Sequence, residues 1–474
     1  MQRELRQTTF QTFRDPAGSL ELRPDGAYRT IRSPEAEEIL AFLATPLAAQ
    51  LVEQGRLSAS TVVPLESNPE TDPDDNAAPS VVLKHPRVAF VSYPWEWPAS
   101  LWLAAAEATL TLCRDLVQND WILKDATPLN VLFEGTKPIF VDVLSVARLN
   151  PKQPLWFAYA QFVRMFLLPM LAYSRLHWPL RAIIGQRDGY EPEDVYPPLP
   201  LAARFTQPAL SAVTLPHLLA RRKSSASRVA AAPRTINDPE LTKHILLKTL
   251  DKLLLQMRSV TPAAQASVWS DYAATATHYE DEDHARKHAF VSTALSQARP
   301  RNVLDVGCNT GVYSSLAANA GATVVSVDTD LQTVDHLARK VQQTGQNILP
   351  LCIDLANPTP AVGWQNAENS SFLDRATGHF DLVLMLAVIH HLLLHNQVPL
   401  DRIAELAGTL TTRHLILEWV PPTDPKFQEL LRGRGDLYEH LTESAFRATF
   451  AKYFTIQAEL LLANRRILFH FVRK

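Results

Sequence analysis

The chain has 474 residues, 46% hydrophobic and 20% charged, a balance that excludes wholesale disorder, a collagen-like repeat and a single small module. Its 46 Lys and Arg against 49 Asp and Glu leave a net charge of −3, so no electrostatic excess argues for nucleic acid or an anionic membrane as partner. The three cysteines, Cys113, Cys308 and Cys352, have no C-x-x-C spacing, which fits a reducing compartment. The first ten residues lack an apolar signal core, and the expected location is the cytoplasm. Glycine is scarce, 15 residues in all, yet Gly307, Gly311 and Gly321 fall close together.

In chain order, Ser19–Arg23 and Tyr28–Arg32 around Pro24-Asp-Gly26 predict a β-hairpin. Ser33 as N-cap, Pro34 at the first helical position and Glu35, Glu37 and Glu38 in the first turn predict one helix running to Gly55. A polar loop over 66–79 follows. Val81–Tyr93 reads as one or two strands, Ala99–Gln118 as a long helix, and Asn130–Phe133 with Pro138–Val141 as two strands joined at Glu134–Lys137. Leu155–Tyr173 is strongly apolar, but Gln161, Arg164 and Pro169 interrupt it, so it predicts a buried helix rather than a membrane span.

Within this half, Leu123-Lys-Asp125 is followed five residues later by Asn130 and, after the hairpin, by Asp142. That spacing resembles the catalytic loop of protein kinase-like and aminoglycoside phosphotransferase-like folds. There one Asp receives the acceptor's hydroxyl proton, an Asn holds metal and a second Asp binds the Mg²⁺ that bridges phosphates. The resemblance implies a nucleotide and metal site at Asp125, Asn130 and Asp142 served by Mg-ATP, with Val91-Ser-Tyr-Pro-Trp-Glu-Trp97 in the place of the hinge. Three features depart from the pattern. Leu123 replaces the usual His, no glycine-rich loop precedes Tyr28, and no Val-Ala-x-Lys appears, leaving Arg29 with Glu37 or Glu38 as the substitute ion pair. A degenerate kinase-like domain serving as scaffold or substrate-binding module is therefore expected; a working kinase is the alternative.

Arg221–Arg228, running on to Pro239, reads as a linker, and Leu246, Leu250, Leu253, Leu254 and Met257 share one face of a helix expected to dock between domains. From about residue 300, strands and helices alternate as in a parallel sheet. Arg301–Val306 leads through Gly307-Cys-Asn-Thr-Gly311 into a helix; Ala322–Asp328 and Ile348–Asp354 each end in an acid; Phe380–Leu386 is followed by Ala387-Val-Ile-His390-His391. Glycines at such a turn let backbone approach a ligand, and an acid at the next strand end can accept two ribose hydroxyl bonds. The middle glycine of a dinucleotide turn is replaced by Asn309, which removes the pyrophosphate site.

Leu304-Asp305-Val-Gly307-x-x-x-Gly311 resembles the first motif of the class I S-adenosylmethionine-dependent methyltransferases. The resemblance implies that Gly307, Cys308, Asn309 and Gly311 line the methionine moiety, with Asp305 a further cofactor-binding residue and Cys308 given no chemistry of its own. Asp328 would hold the ribose, Asp354 and Leu355 would flank the adenine, and Leu386 would complete the cofactor site. It also implies an antiparallel final pair of strands, which Phe454–Leu460 and Arg466–Phe471 can supply. Methyl transfer from a sulfonium is an in-line displacement, so His390 or His391 is needed as a base only if the acceptor must lose a proton. Only one of the two can face the site. Glu418 and His395 are further pocket candidates, and Tyr279, Lys287 and Phe290 are placed to close over the cofactor. No metal is expected in this domain.

The whole pattern is an α/β chain: a Rossmann-like class I methyltransferase domain over 265–474, a linker and docking helix over 221–264, and an α+β kinase-like domain over 1–220. The combination resembles a bacterial family of methyltransferases, one branch of which carries a nodulation-protein label. The implied partner is a methyl acceptor, a small molecule or a protein, whose identity is not encoded in these motifs.

Overall fold

The computed structural model describes residues 14, 16–32, 35–64, 79–222, 235–263, 278–431 and 435–474. The hairpin forms: β1 (Gly18–Arg23) pairs antiparallel with β2 (Gly26–Arg32), Arg23 opposite Gly26. The expected single helix is instead two, α1 (Glu35–Leu43) and α2 (Pro46–Glu53). Pro46 has no amide hydrogen to continue α1, and the Thr45 side chain accepts from the Ala48 amide at 3.1 Å, starting a new helix there. The Ser33-Pro34 cap lies outside the described residues. β3 (Thr61–Val63) and β4 (Pro79–His85) complete a four-stranded antiparallel sheet of order β1-β2-β4-β3. Beyond Pro86 the chain leaves the sheet, and Pro94–Glu96 forms a single 3-10 turn.

The long helix α3 (Ala99–Gln118) buries Leu101, Trp102, Ala105, Leu112, Cys113 and Leu116. β5 (Trp121–Leu123) pairs with β8 (Val146–Arg148), and between them β6 (Val131–Glu134) and β7 (Lys137–Phe140) form the second hairpin. The apolar stretch after 155 is a buried rod: Tyr159–Phe162, a π turn over Val163–Leu167, then α4 (Leu168–Leu176), with Phe162, Phe166, Leu167 and Leu168 fully buried. Most of the linker, 223–234, lies outside the described residues. The helix after it, α5 (Pro239–Val260), sets its apolar face along α3 and α4 of the first half. Arg114–Asp251, Lys243–Asp120 and Arg258–Glu107 ion pairs fasten it there. Its body thus packs on the first half, and just past its end the Pro262 carbonyl accepts from Arg339 of the second.

The second half opens with α6 (His278–Ala298). It continues with β9 (Asn302–Val306), α7 (Val312–Asn319), β10 (Thr323–Asp328), α8 (Leu331–Thr344), β11 (Ile348–Cys352), α9 (Phe372–Ala376), β12 (Phe380–Met385), α10 (Leu400–Leu410), β13 (Thr411–Trp419), β14 (Phe454–Leu461) and β15 (Ile467–Arg473). The strands form one sheet, β11-β10-β9-β12-β13-β15-β14. The pairings from β11 to β13 are parallel, and β15 runs antiparallel to both neighbours, as the motif resemblance implies. Near-continuous apolar strands such as Asn302–Val306 and Phe380–Met385 follow from a sheet covered on both faces.

The halves meet at a buried ion pair. Glu96 is fully buried and pairs with Arg375 of α9, whose guanidinium also lies 4.7 Å from the Tyr93 ring centroid and 5.3 Å from that of Phe90. Arg375 donates to the Val91 carbonyl, the Thr359 hydroxyl donates to Glu96, and the Ser370 amide donates to the Tyr93 hydroxyl. The Val91–Trp97 segment, expected in the place of a nucleotide hinge, is the joint between the two halves.

Candidate active site

The C-terminal ends of β9, β10, β11 and β12 define one edge of the large sheet. After Val306 the chain turns through Gly307 (φ +69°), Asn309 (φ +47°) and Gly311 (φ +75°) into α7. A Cβ on Gly311 would stand 2.3 Å from Leu337 Cδ1, and one on Gly307 2.3 Å from Val388 Cγ2, so glycine suits the φ at both and spares those side chains a displacement. The Asp328 carboxylate accepts from the Asn309 amide and the Asp330 amide, each at 3.0 Å. Those two bonds fix it at the mouth of the turn and leave each oxygen a further lone pair. Asp354, just past β11, accepts from the Ala356 amide at 2.9 Å, and Leu355 and Leu386 are buried beside the same edge. The structure therefore brings Gly307, Asn309, Gly311, Asp328, Asp354, Leu355 and Leu386 to neighbouring strand ends, a cradle suited to a nucleoside carrying a polar tail.

Asp305 is placed differently. It is buried and accepts from the Ser314 hydroxyl at 2.6 Å, which in turn accepts from Ser326 at 2.8 Å. Burial pushes its carboxyl up to about 7, so it ties the turn to α7 and β10. Burial likewise raises the Cys308 thiol well above its ordinary value, and the sulfur stays protonated.

The two histidines part company. His390 is 3% exposed, its Nδ1 has no hydrogen-bond partner among the described residues, and burial, with help from His391, lowers its pKa to about 3. His391, with its ring 4.3 Å away, is exposed, and desolvation followed by the His395 charge lowers its pKa. Of the pair, His391 is the one open to a ligand. Behind them Glu418 is 1% exposed and sits between Lys287 and Arg466, with Arg466 Nε also 2.7 Å from Asp424. Burial alone would raise Glu418, but Lys287 and Arg466 outweigh it and hold the carboxylate below its ordinary value. Lys287 thus clamps α6 to β13, with its ammonium 5.2 Å from the Tyr313 ring centroid. The Tyr279 side chain lies outside the described residues. Arg466 and Asp424 carry no local motif, and nothing in their spacing announced them.

In the first half, Asn130 Nδ2 lies 3.4 Å from Asp142 and 3.0 Å from the Ser145 hydroxyl, which donates to Asp142. Arg29, 8% exposed, places Nη1 3.0 Å from Asp142. The expected pairing of Arg29 with Glu37 or Glu38 does not form, because β2 aims the guanidinium at the β7 end and Glu38 accepts from the Arg148 amide at 2.7 Å. Asp125 accepts from Gln161 Nε2 at 3.4 Å, and Gln161 also takes the Ala126 amide at 2.6 Å. Ser145 and Gln161 are additions that the motif spacing did not mark.

A family model described as "Methyltransferase domain" matches residues 276–432. The nodulation protein NoeA of Rhizobium meliloti (strain 1021) is 30% identical over 466 residues, covering 98% of this chain and 95% of that protein. The O-antigen chain terminator bifunctional methyltransferase/kinase WbdD of Escherichia coli is 29% identical over 187 residues, 37% of this chain and 24% of WbdD, so that match spans about a quarter of its length. Among solved structures, magnesium protoporphyrin IX methyltransferase from Synechocystis is 22% identical over 46% of this chain and 92% of that one, with a TM-score of 0.31. The N-methyltransferase NodS from Bradyrhizobium japonicum is 14% identical over 41% and 97%, with a TM-score of 0.30. The matched domain, the Asp-x-Gly-x-x-x-Gly turn and the strand order with a reversed β15 together make the C-terminal half a class I methyltransferase domain, whose methyl donor is S-adenosylmethionine. With likeness running over nearly the full length of both proteins, this chain belongs to the family of the nodulation protein NoeA.

Proposed function

We propose that this chain is a cytoplasmic enzyme that methylates a hydroxyl or amine on a small molecule or protein, with the first half serving as scaffold and acceptor-presenting module. The observation that supports the donor end is the Asp328 carboxylate held at the glycine turn by the Asn309 and Asp330 amides. S-adenosylmethionine supplies an electrophilic methyl group when bound. Gly307, Cys308, Asn309 and Gly311 offer backbone to the methionine moiety, Asp328 accepts the ribose hydroxyls, and Asp354, Leu355 and Leu386 enclose the adenosine. His391 is the group open to take the proton that an hydroxyl or a protonated amine releases; His390, buried and neutral, positions the turn that carries it. Incubation of the enzyme with isotopically labelled methyl donor and cell extract should label one class of acceptor, and labelling should be lost in Asp328→Ala. Equal labelling by the variant would remove Asp328 from the site.

A second reading, phosphoryl transfer by the first half, is favoured by the closeness of Asn130 to Asp142. Against it stands Arg29, whose guanidinium already neutralises Asp142 in a nearly buried setting where Mg²⁺ would have to bind. Calorimetry with Mg-ATP should detect no binding to the wild-type chain. Binding that disappears in Asp142→Ala would replace the scaffold role with a kinase.

A further inference from the structure

The turn that carries His391 is not held by local preference. Ala387 (φ +54°) and Gln397 (φ +56°) flank it in the left-handed region, which disfavours any residue with a Cβ. Between them the Asn396 amide bonds the His391 carbonyl at 3.1 Å, closing a π turn over His391–His395. Such a backbone persists only where its surroundings fix it. Here that support is α11 (Pro425–Leu431), which packs on the turn and buries Phe427 and Leu431. The helix is anchored at its start: the Asp424 carboxylate accepts from the Lys426 amide at 2.8 Å and from Arg466 through Nε, at 2.7 Å, and Nη2, at 3.2 Å. The remaining guanidinium nitrogen, Nη1, reaches Glu418 of β13 at 3.3 Å, and Lys287 of α6 holds Glu418 from another side. Arg466 itself projects from the β14–β15 turn, which Asp283 of α6 fixes by accepting from the Ala463 and Asn464 amides at 2.9 and 3.2 Å.

We propose that Arg466 and Asp424 are positioning residues for methyl transfer: the guanidinium fork sets α11, and through α11 the turn that presents His391 to the acceptor. The inference rests on the reading of His391 as the group that takes the acceptor's proton. Asp424 is 3% exposed and Glu418 1%, so both carboxylates meet Arg466 away from bulk water. An apolar contact would hold α11 to the sheet at lower desolvation cost, but it would fix neither its rotation nor its distance. A planar guanidinium bound to carboxylates from two elements fixes both. A general base acts only within hydrogen-bond reach of the proton it takes, so a displacement of about 1 Å in its turn removes most of its effect. In the sheet, β9 and β12 separate β10, which carries Asp328, from β13, where this network stands. The network therefore sets the acceptor side and leaves the ribose acid alone.

Methyl transfer from isotopically labelled S-adenosylmethionine to cell extract, measured on the full chain against donor concentration, tests this. Arg466→Lys keeps the charge but cannot bridge both carboxylates. Its rate at saturating donor should fall about tenfold, while donor KM and S-adenosylhomocysteine affinity stay within about twofold of wild type. Asp424→Asn should behave alike. In a chain already carrying His391→Asn, Arg466→Lys should lower the rate by less than about twofold further, because the two changes remove one effect. A merely structural role would give the same loss in both backgrounds. Rates within about twofold of wild type in both Arg466→Lys and Asp424→Asn overturn the proposal, as does a full further loss in the His391→Asn background. If Asp424→Asn does not fold, Arg466→Lys decides alone. A His391→Asn chain that transfers methyl at the wild-type rate removes the proton-acceptor reading instead, a result distinct from unaffected Arg466 and Asp424 variants.

Discussion

Asp328 is fixed by two backbone amides rather than by a counter-charge, so its remaining lone pairs are aimed but free to accept. Replacing it with Ala should weaken S-adenosylhomocysteine binding by roughly 1–3 kcal/mol, the range for losing hydrogen bonds to a charged group, with the melting temperature little changed. Calorimetry at neutral pH checks this, and unaltered affinity would contradict the ribose role. Buried imidazoles give a second residue-scale expectation. His85 and His470 are lowered to about 4 and His390 to about 3, all by burial first. Between about pH 4 and 6.5 the unfolded chain protonates these three while the folded chain does not, so each makes stability rise with pH. Asp305, raised to about 7, acts oppositely, holding a proton in the fold up to that pH which the unfolded chain releases above about 4. Burial lowers His379, His391 and His414 as well, so the histidines outnumber Asp305 and stability is lost as pH falls below 6.5. Urea midpoints at pH 7.5 and 5.5 measure it, and His390→Asn should reduce the loss by about one proton's share.

At the scale of elements, the turn between β9 and α7 depends on what packs beneath it. Gly311 and Gly345 have similar positive φ, +75° and +69°, but a Cβ at 311 meets buried Leu337 and one at 345 meets nothing within 4 Å. Gly345→Ala should cost about 1 kcal/mol, the left-handed penalty alone. Gly311→Ala should cost about 2–4 kcal/mol and also weaken donor binding, because the buried Leu337 side chain must be displaced to accommodate it. Comparison of their thermal unfolding isolates the packing part; equal losses would show that Leu337 simply moves aside. The two helices that replace one predicted helix teach the same lesson in reverse. The apolar periodicity across 35–53 is continuous, yet Pro46 and the Thr45 cap decide locally where the rod breaks. Helix α5 was legible as an amphipathic helix, but periodicity names a face and not the neighbour it meets, and the neighbour proved to be α3.

For the whole molecule, the joint at Glu96 and Arg375 is the contact on which the arrangement of the halves turns. Both side chains are almost fully buried, and the aromatic rings of Phe90, Tyr93 and Phe372 surround the guanidinium. Glu96→Gln leaves a buried cation uncompensated and should cost roughly 3–5 kcal/mol, whereas the double change Glu96→Leu with Arg375→Met should cost much less. Differential scanning calorimetry of the full chain checks both, and a single variant as stable as wild type would show the pair to be hydrated. What the sequence by itself determined is local: the strand, glycine turn and acid of 301–328, the order of strands and helices after 300, and the Asp125, Asn130 and Asp142 spacing, all set by neighbours within a few residues or by a periodic face. What only the tertiary structure decided is the partnership of distant residues. Glu96 with Arg375, Arg29 with Asp142, and Arg466 with Asp424 and Glu418 lie 42 to 279 residues apart. Burial in a shared interior creates such pairs, and no spacing along the chain encodes them.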